Sequence, residues 1–130
     1  MTTKVYEGRY QFDPLSAAIV TVNGRPLKHV AKHSPTGLSW GYGGSGPADT
    51  ALSILTDMFG GNKELAEVFY FEFTWEFVTS WGNEWKITSE EINEWLKVRT
   101  GRSAQELINK YLELDEEERL ELRCLRRLPE

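Results

Sequence analysis

The N-terminal part of the chain alternates hydrophobic with polar residues, which is the pattern of strands with one buried face. The alternation over residues 4–12 predicts a first strand, and the β-branched run 18–22 predicts a second. Asn23-Gly24 follows the second run, and this dipeptide favours the positive φ angles of a type I′ turn. We therefore expect a hairpin to a return strand over 27–32, and a further short strand over 38–40.

From Pro47 onwards the apolar spacing becomes helical. A helix is predicted from Pro47 to Phe59, because proline suits the first helical position and Gly60-Gly61 follows the last apolar residue. Residues 63–81 are ambiguous, since aromatic residues recur there both at every second and at every fourth position. The length of this run without glycine or proline favours a helix.

Three more helices are expected towards the C-terminus, each with a signal at its start. Thr88 with Glu91 and Ser103 with Glu106 form capping boxes. The last helix begins with the acidic residues 115–118 and ends with arginines, which suits the helix dipole. Its expected buried residues are Leu120, Leu122, Leu125 and Leu128, with Cys124 as a small apolar filler.

Together these elements predict an α+β fold. A small N-terminal antiparallel sheet, made of a hairpin and short strands, would pack with four to five C-terminal helices. With 130 residues the chain is expected to form a single domain, 1–130, with a core over 1–100 and a helical C-terminal extension over 101–130.

Composition and charge exclude several classes of protein. No apolar run approaches the ~20 residues that span a bilayer, so we expect no membrane association. The N-terminus lacks the apolar stretch of a secretory signal and Cys124 has no partner for an internal disulfide, so a cytoplasmic location is expected. The net charge of −5 argues against general nucleic-acid binding.

The carboxylates are unevenly spread, and a glycine-rich segment lies at the end of the stretch that lacks them. The 35 residues between Asp13 and Asp49 carry no carboxylate. Within them, four glycines from Gly41 to Gly46 follow a predicted strand and open a predicted helix, where backbone N–H groups can hold an anion. Basic side chains would pair with phosphate, and an aromatic ring would stack on a base. The candidate ligand-binding residues are Arg25, Lys28, Lys32, His33, Trp40, Tyr42, Gly43, Gly44, Ser45 and Gly46.

Each of these features also has a purely structural interpretation. The glycines can form a tight strand-to-helix turn packed under Trp40 and Tyr42, and lysines can protect an edge strand from pairing with another chain. Half of the sixteen aromatic residues lie between Phe69 and Trp85. Most of them are expected in the core, and any surplus would form an interface or a pocket wall, which makes self-association a further candidate.

Catalysis and metal binding are not expected. His29 and His33 alone are too few ligands for a metal, and the metal-binding cysteine and histidine motifs are missing. Ser45 is followed by Gly46-Pro47, which lacks the last glycine of a nucleophile elbow. No cofactor is implied.

Residues 34–55 contain Ser-Pro-Thr-Gly and then Trp-Gly-Tyr-Gly-Gly-Ser-Gly-Pro. This segment resembles a family of uncharacterised bacterial and phage proteins built around that signature. The later pattern of Trp85, Thr88 and Trp95-Leu96 extends the resemblance to residues 5–98. The resemblance implies a recurrent fold and a mobile-element context, and it carries no known reaction.

Two functions follow as hypotheses. The first is a non-enzymatic module that binds an anionic, nucleotide-like ligand at the glycine-rich loop; in a phage, such a module would sequester a host defence signal. The second is an inhibitor or adaptor that binds a host protein through its acidic C-terminal helices or exposed aromatic residues.

Overall fold

A computed structural model describes residues 3–10, 18–34 and 37–128. Residues 11–12 of the predicted first strand and the predicted turn at 35–36 lie outside the described residues. The elements are, in chain order, β1 (Val5–Tyr10), β2 (Ala18–Val22), β3 (Arg25–Pro26), α1 (Ser45–Met58), α2 (Lys63–Glu76), a 3-10 turn (Val78–Ser80), β4 (Glu84–Thr88), α3 (Ser89–Thr100), α4 (Ala104–Glu113) and α5 (Glu116–Leu125).

The strands form one antiparallel sheet with the order β3-β2-β1-β4, so the predicted α+β fold is confirmed. One face of the sheet packs on the helices, with Tyr6 and Ile87 side by side at its centre. Trp85 of β4 covers Gly8 of β1 so closely that no side chain fits at Gly8. The requirement for glycine at position 8 is therefore set by Trp85, which lies 77 residues further along the chain.

The predicted strands after the hairpin are wrong in extent. The return strand was expected over 27–32, but β3 comprises only Arg25 and Pro26, and the last bond to β2 is from the N–H of Leu27 to Val20. The chain then turns towards α1, where the N–H of Val30 donates to Ser53. Residues 38–40 are not a strand, since the N–H and C=O of Ser39 both bond to the hydroxyl of Thr50 on α1.

The helices agree better with the predictions. All three C-terminal helices begin with capping boxes, and Gly101 ends α3 in the left-handed conformation. The ambiguous segment is helical from Lys63 to Glu76, and Asn62 caps it by accepting a hydrogen bond from the N–H of Leu65. In the described part of the chain, no helix is long and apolar enough to cross a membrane.

The last helix packs less extensively than expected. Leu122 is buried and Leu128 packs against the core, but Leu120, Leu125 and Cys124 are exposed. The expected burial of Leu120, Leu125 and Cys124 is wrong, because α5 ends at Leu125 and lies at the surface with one narrow apolar stripe.

Candidate functional site

A buried carboxylate lies among the last basic residues of the stretch 14–48, which contains no carboxylate of its own and which we call the basic window. Asp49 on α1 is fully buried, and its oxygens accept hydrogen bonds from the backbone N–H groups of Lys32 (3.2 Å), His33 (2.9 Å) and Ser34 (2.9 Å). The Nε2 atom of His29 lies 3.0 Å from the same carboxylate. Burial raises the pKa of Asp49, but these hydrogen bonds outweigh it and hold the pKa below its usual value.

Two of the predicted ligand-binding residues have internal partners instead. The ammonium group of Lys32 lies 3.1 Å from the carboxylate of Glu67 on α2. The ring of His33 lies 2.9 Å from the hydroxyl of Tyr70, also on α2. With Asp49, these contacts fasten residues 29–34 to α1 and α2, so the basic window surrounds an anion that belongs to the protein.

Of three other predicted residues, two are exposed and one is buried. Arg25 and Lys28 are exposed, and Arg25 lies on β3, at the opposite edge of the sheet from β4. Trp40 is only 2% exposed; it stacks on Tyr10 with ring centroids 4.4 Å apart, and its N–H donates to Gly82. A stacking role for Trp40 on a ligand is therefore excluded by burial.

The glycine-rich loop itself packs closely on its surroundings. Gly41 has φ +87° and donates its N–H to Val78. A Cβ on Gly43 would lie 2.8 Å from the ring of Trp75, and one on Gly46 would overlap the hydroxyl of Ser39. Tight packing, the structural interpretation, thus accounts for glycine at these positions without a ligand.

Packing does not account for the polar groups of this loop. The backbone N–H groups of five consecutive residues, Tyr42 to Gly46, donate to no acceptor among the residues described. Gly44, the residue before α1, gives the helix no side-chain cap, and the first turn of α1 contains no acidic residue. Residues Gly41 to Ser45 are exposed, whereas Gly46 is buried. The donors of Tyr42 to Ser45 are therefore the ones available to an anion or water.

Three large aromatic side chains lie exposed beside these donors. Tyr42, Trp75 and Phe71 are 52%, 59% and 65% exposed. The ring of Phe71 meets the ring of Trp75 edge on, Gly43 lies against Trp75, and Gly44 lies against Tyr42. We call the continuous surface formed by Tyr42, Gly43, Gly44, Phe71 and Trp75 the aromatic strip.

The sequence analysis missed Phe71 and Trp75 as site residues. Both belong to the aromatic segment that was assigned mainly to the core. Their spacing carried a signal, because residues four apart share one face of a helix, and the buried Phe69 and Phe73 occupy another face. Comparing the two faces of α2 would have identified the exposed pair.

The structure contains no group of three or more metal-ligating side chains within the residues it describes. Searches of curated proteins and of solved structures found no match to the chain. The model of a family described as "Family of unknown function (DUF6166)" matches residues 6–98, from β1 into α3, which includes the loop and the aromatic strip. The chain belongs to this family of unknown function.

Proposed function

We propose that the protein is a non-enzymatic binding module that holds an anionic, nucleotide-like ligand at the glycine-rich loop. The observation that carries the proposal is the row of exposed residues Tyr42 to Ser45, whose N–H groups find no acceptor in the described part of the chain, beside the exposed rings of Tyr42 and Trp75. An anionic group would accept hydrogen bonds from the loop and benefit from the positive end of the α1 dipole. A base would stack on the aromatic strip.

This proposal revises the set of residues that would contact the ligand. Gly43, Gly44 and Ser45 supply the exposed backbone donors, whereas Gly46 is buried, and Trp75 replaces Trp40 as the stacking ring. The side chain of Lys32 is omitted because it is paired with Glu67. If the gene belongs to a phage, the same site would sequester a nucleotide defence signal of the host.

Isothermal titration with a panel of nucleotides and cyclic nucleotides tests the proposal. Ser45→Asp places a carboxylate beside the donors and should abolish binding at the loop. Asn109→Asp adds the same charge on the exposed side of α4 and serves as the matched control, with wild-type affinity expected. Unchanged affinity in Ser45→Asp would refute the loop as the site.

The stacking role has its own matched pair of variants. Trp75→Ala should weaken binding by 1–3 kcal/mol, the approximate range for loss of one base–aromatic stack. Leu112→Ala, which removes a side chain that is 64% exposed on α4, should leave affinity unchanged. Equal affinities in the two variants would remove Trp75 from the site.

The exposure of the aromatic strip also favours a second candidate, an inhibitor or adaptor that binds a host protein. Tyrosine and tryptophan are enriched among the residues that dominate protein interfaces. The acidic start of α5, Glu116 to Glu118, is the other surface of this candidate. In this case Trp75→Ala would abolish capture of the partner, and Ser45→Asp would leave the affinity for every nucleotide unchanged.

A further inference from the structure

A second cleft lies away from the glycine-rich loop, between α2, the end of α3, α4 and the segment after α5. Its volume is about 590 Å³, which is within the usual range for small-molecule sites. Its lining comprises Val68, Phe69, Glu72, Arg99, Thr100, Arg102, Leu107, Lys110, Arg126, Arg127 and Leu128. Only the first three of these residues lie within the family match, so the cleft is formed mainly by the C-terminal extension.

The lining is strongly basic in a chain whose net charge is −5. Five of its side chains are basic and one described side chain, Glu72, is acidic, and Glu72 is already paired with Arg99. The other four cations, Arg102, Lys110, Arg126 and Arg127, have no ion pair with any described residue. Carboxylates are in excess elsewhere in the chain, so this cluster of unpaired positive charges is not a consequence of composition.

The cleft also has an apolar floor. Phe69 and Leu107 are buried in the core, and Val68 and Leu128 pack against it. Arg126 has φ +53° and ends α5, and the chain beyond it brings Leu128 onto the core. A left-handed conformation is uncommon for arginine, so this turn is a specific feature of the segment.

We propose that this cleft binds a small organic phosphate. Several phosphate groups would pair with the four unpaired cations, whose guanidinium groups suit bidentate contact with phosphate oxygens. The organic part would lie on the apolar floor. The limited volume favours a small molecule over a nucleic acid or a protein segment. This site is independent of the loop, and neither proposal requires the other.

Isothermal titration of the full chain with tripolyphosphate and with ATP tests the proposal. The double variant Arg102→Ala/Arg127→Ala removes two of the unpaired charges. We expect its affinity for tripolyphosphate, and for ATP when both are compared in the Ser45→Asp background, to fall about tenfold or more, as loss of charge-assisted hydrogen bonds implies. Arg25→Ala/Lys28→Ala removes the same charge from the exposed hairpin and should bind as wild type does.

Further variants test which part of the ligand the cleft binds and distinguish this site from the loop. If the apolar floor holds the organic part, Leu128→Ala should weaken the binding of ATP and leave the binding of tripolyphosphate unchanged. An ATP affinity equal to that of the wild type would indicate a site for phosphate groups alone and would overturn the organic component. Ser45→Asp should leave tripolyphosphate binding unchanged. If circular dichroism shows that the double variant is unfolded, Lys110→Met, which removes one positive charge from the cleft, replaces it in the same titrations.

Two results would overturn the proposal. One is the lack of binding by wild-type protein to either probe at low salt, where electrostatic attraction is strongest. The other is an equal loss of affinity in Arg102→Ala/Arg127→Ala and in Arg25→Ala/Lys28→Ala, which would mean attraction to net charge rather than to the cleft.

Discussion

Asp49→Asn is the substitution that most directly tests how residues 29–34 are held. In the wild type one carboxylate oxygen accepts from His33, the other accepts from Ser34 and faces His29, and the N–H of Lys32 lies 3.2 Å from both. Asparagine keeps a single acceptor oxygen, so its NH₂ group would replace the other oxygen and face the N–H groups that this oxygen accepts from. A buried donor left without an acceptor costs about 1–3 kcal/mol. With one or two such donors, we expect a loss of about 2–5 kcal/mol.

Urea denaturation followed by tryptophan fluorescence measures this loss, which is a large fraction of the roughly 5–15 kcal/mol of a typical domain. Asp57→Asn is the matched control. The new amide oxygen still accepts from Tyr6, and only the half-exposed pair with Lys4 is weakened, so we expect at most about 1 kcal/mol. A loss below about 1 kcal/mol for Asp49→Asn would refute the anchoring role of this carboxylate.

Three further predictions concern stability. Because folding lowers the pKa of Asp49, the contribution of this carboxylate to the free energy of unfolding is complete above its ordinary pKa near 3.8 and is lost as the pH falls through the lower pKa of the folded state. Acid titration followed by circular dichroism should therefore show a smaller loss of stability in Asp49→Asn than in the wild type. Gly8→Ala should cost about 1–3 kcal/mol by overpacking against Trp85, whereas Gly82→Ala, where a Cβ meets open space, should be nearly neutral in urea melts. Asn62→Ala should cost about 1 kcal/mol in thermal melts by removing the α2 cap.

Local signals predicted the helices well and the sheet less well. Capping boxes such as Thr88 with Glu91 act within four residues, so the sequence alone locates these helix starts. β4 was not predicted, because this strand is five residues long and its pairing with β1 joins segments far apart in sequence. Periodicity gives little signal for so short a strand.

The position of the glycine-rich loop was predicted from the sequence, but the partners of the residues around it were not. The glycine-rich loop does precede α1, as expected from its spacing and the following proline. The roles of Lys32 and Trp40 depend on partners in other elements, Glu67 and Tyr10, which no local pattern identifies. The sequence pattern also gave no sign that residues 29–34 would surround Asp49, the carboxylate that follows the basic window.

A thermal-shift measurement with nucleotides tests the central claim most directly, with native mass spectrometry to detect any copurified ligand. A ligand at ~100 times its Kd adds about 2.7 kcal/mol, or roughly 5–15 °C for a domain of this size. Because the basic cleft is also expected to bind organic phosphates, Arg102→Ala/Arg127→Ala serves as the background. The account predicts that a nucleotide raises the Tm of this double variant but not that of the triple variant that also carries Ser45→Asp. An equal shift in the triple variant, or no shift with any nucleotide, would contradict it.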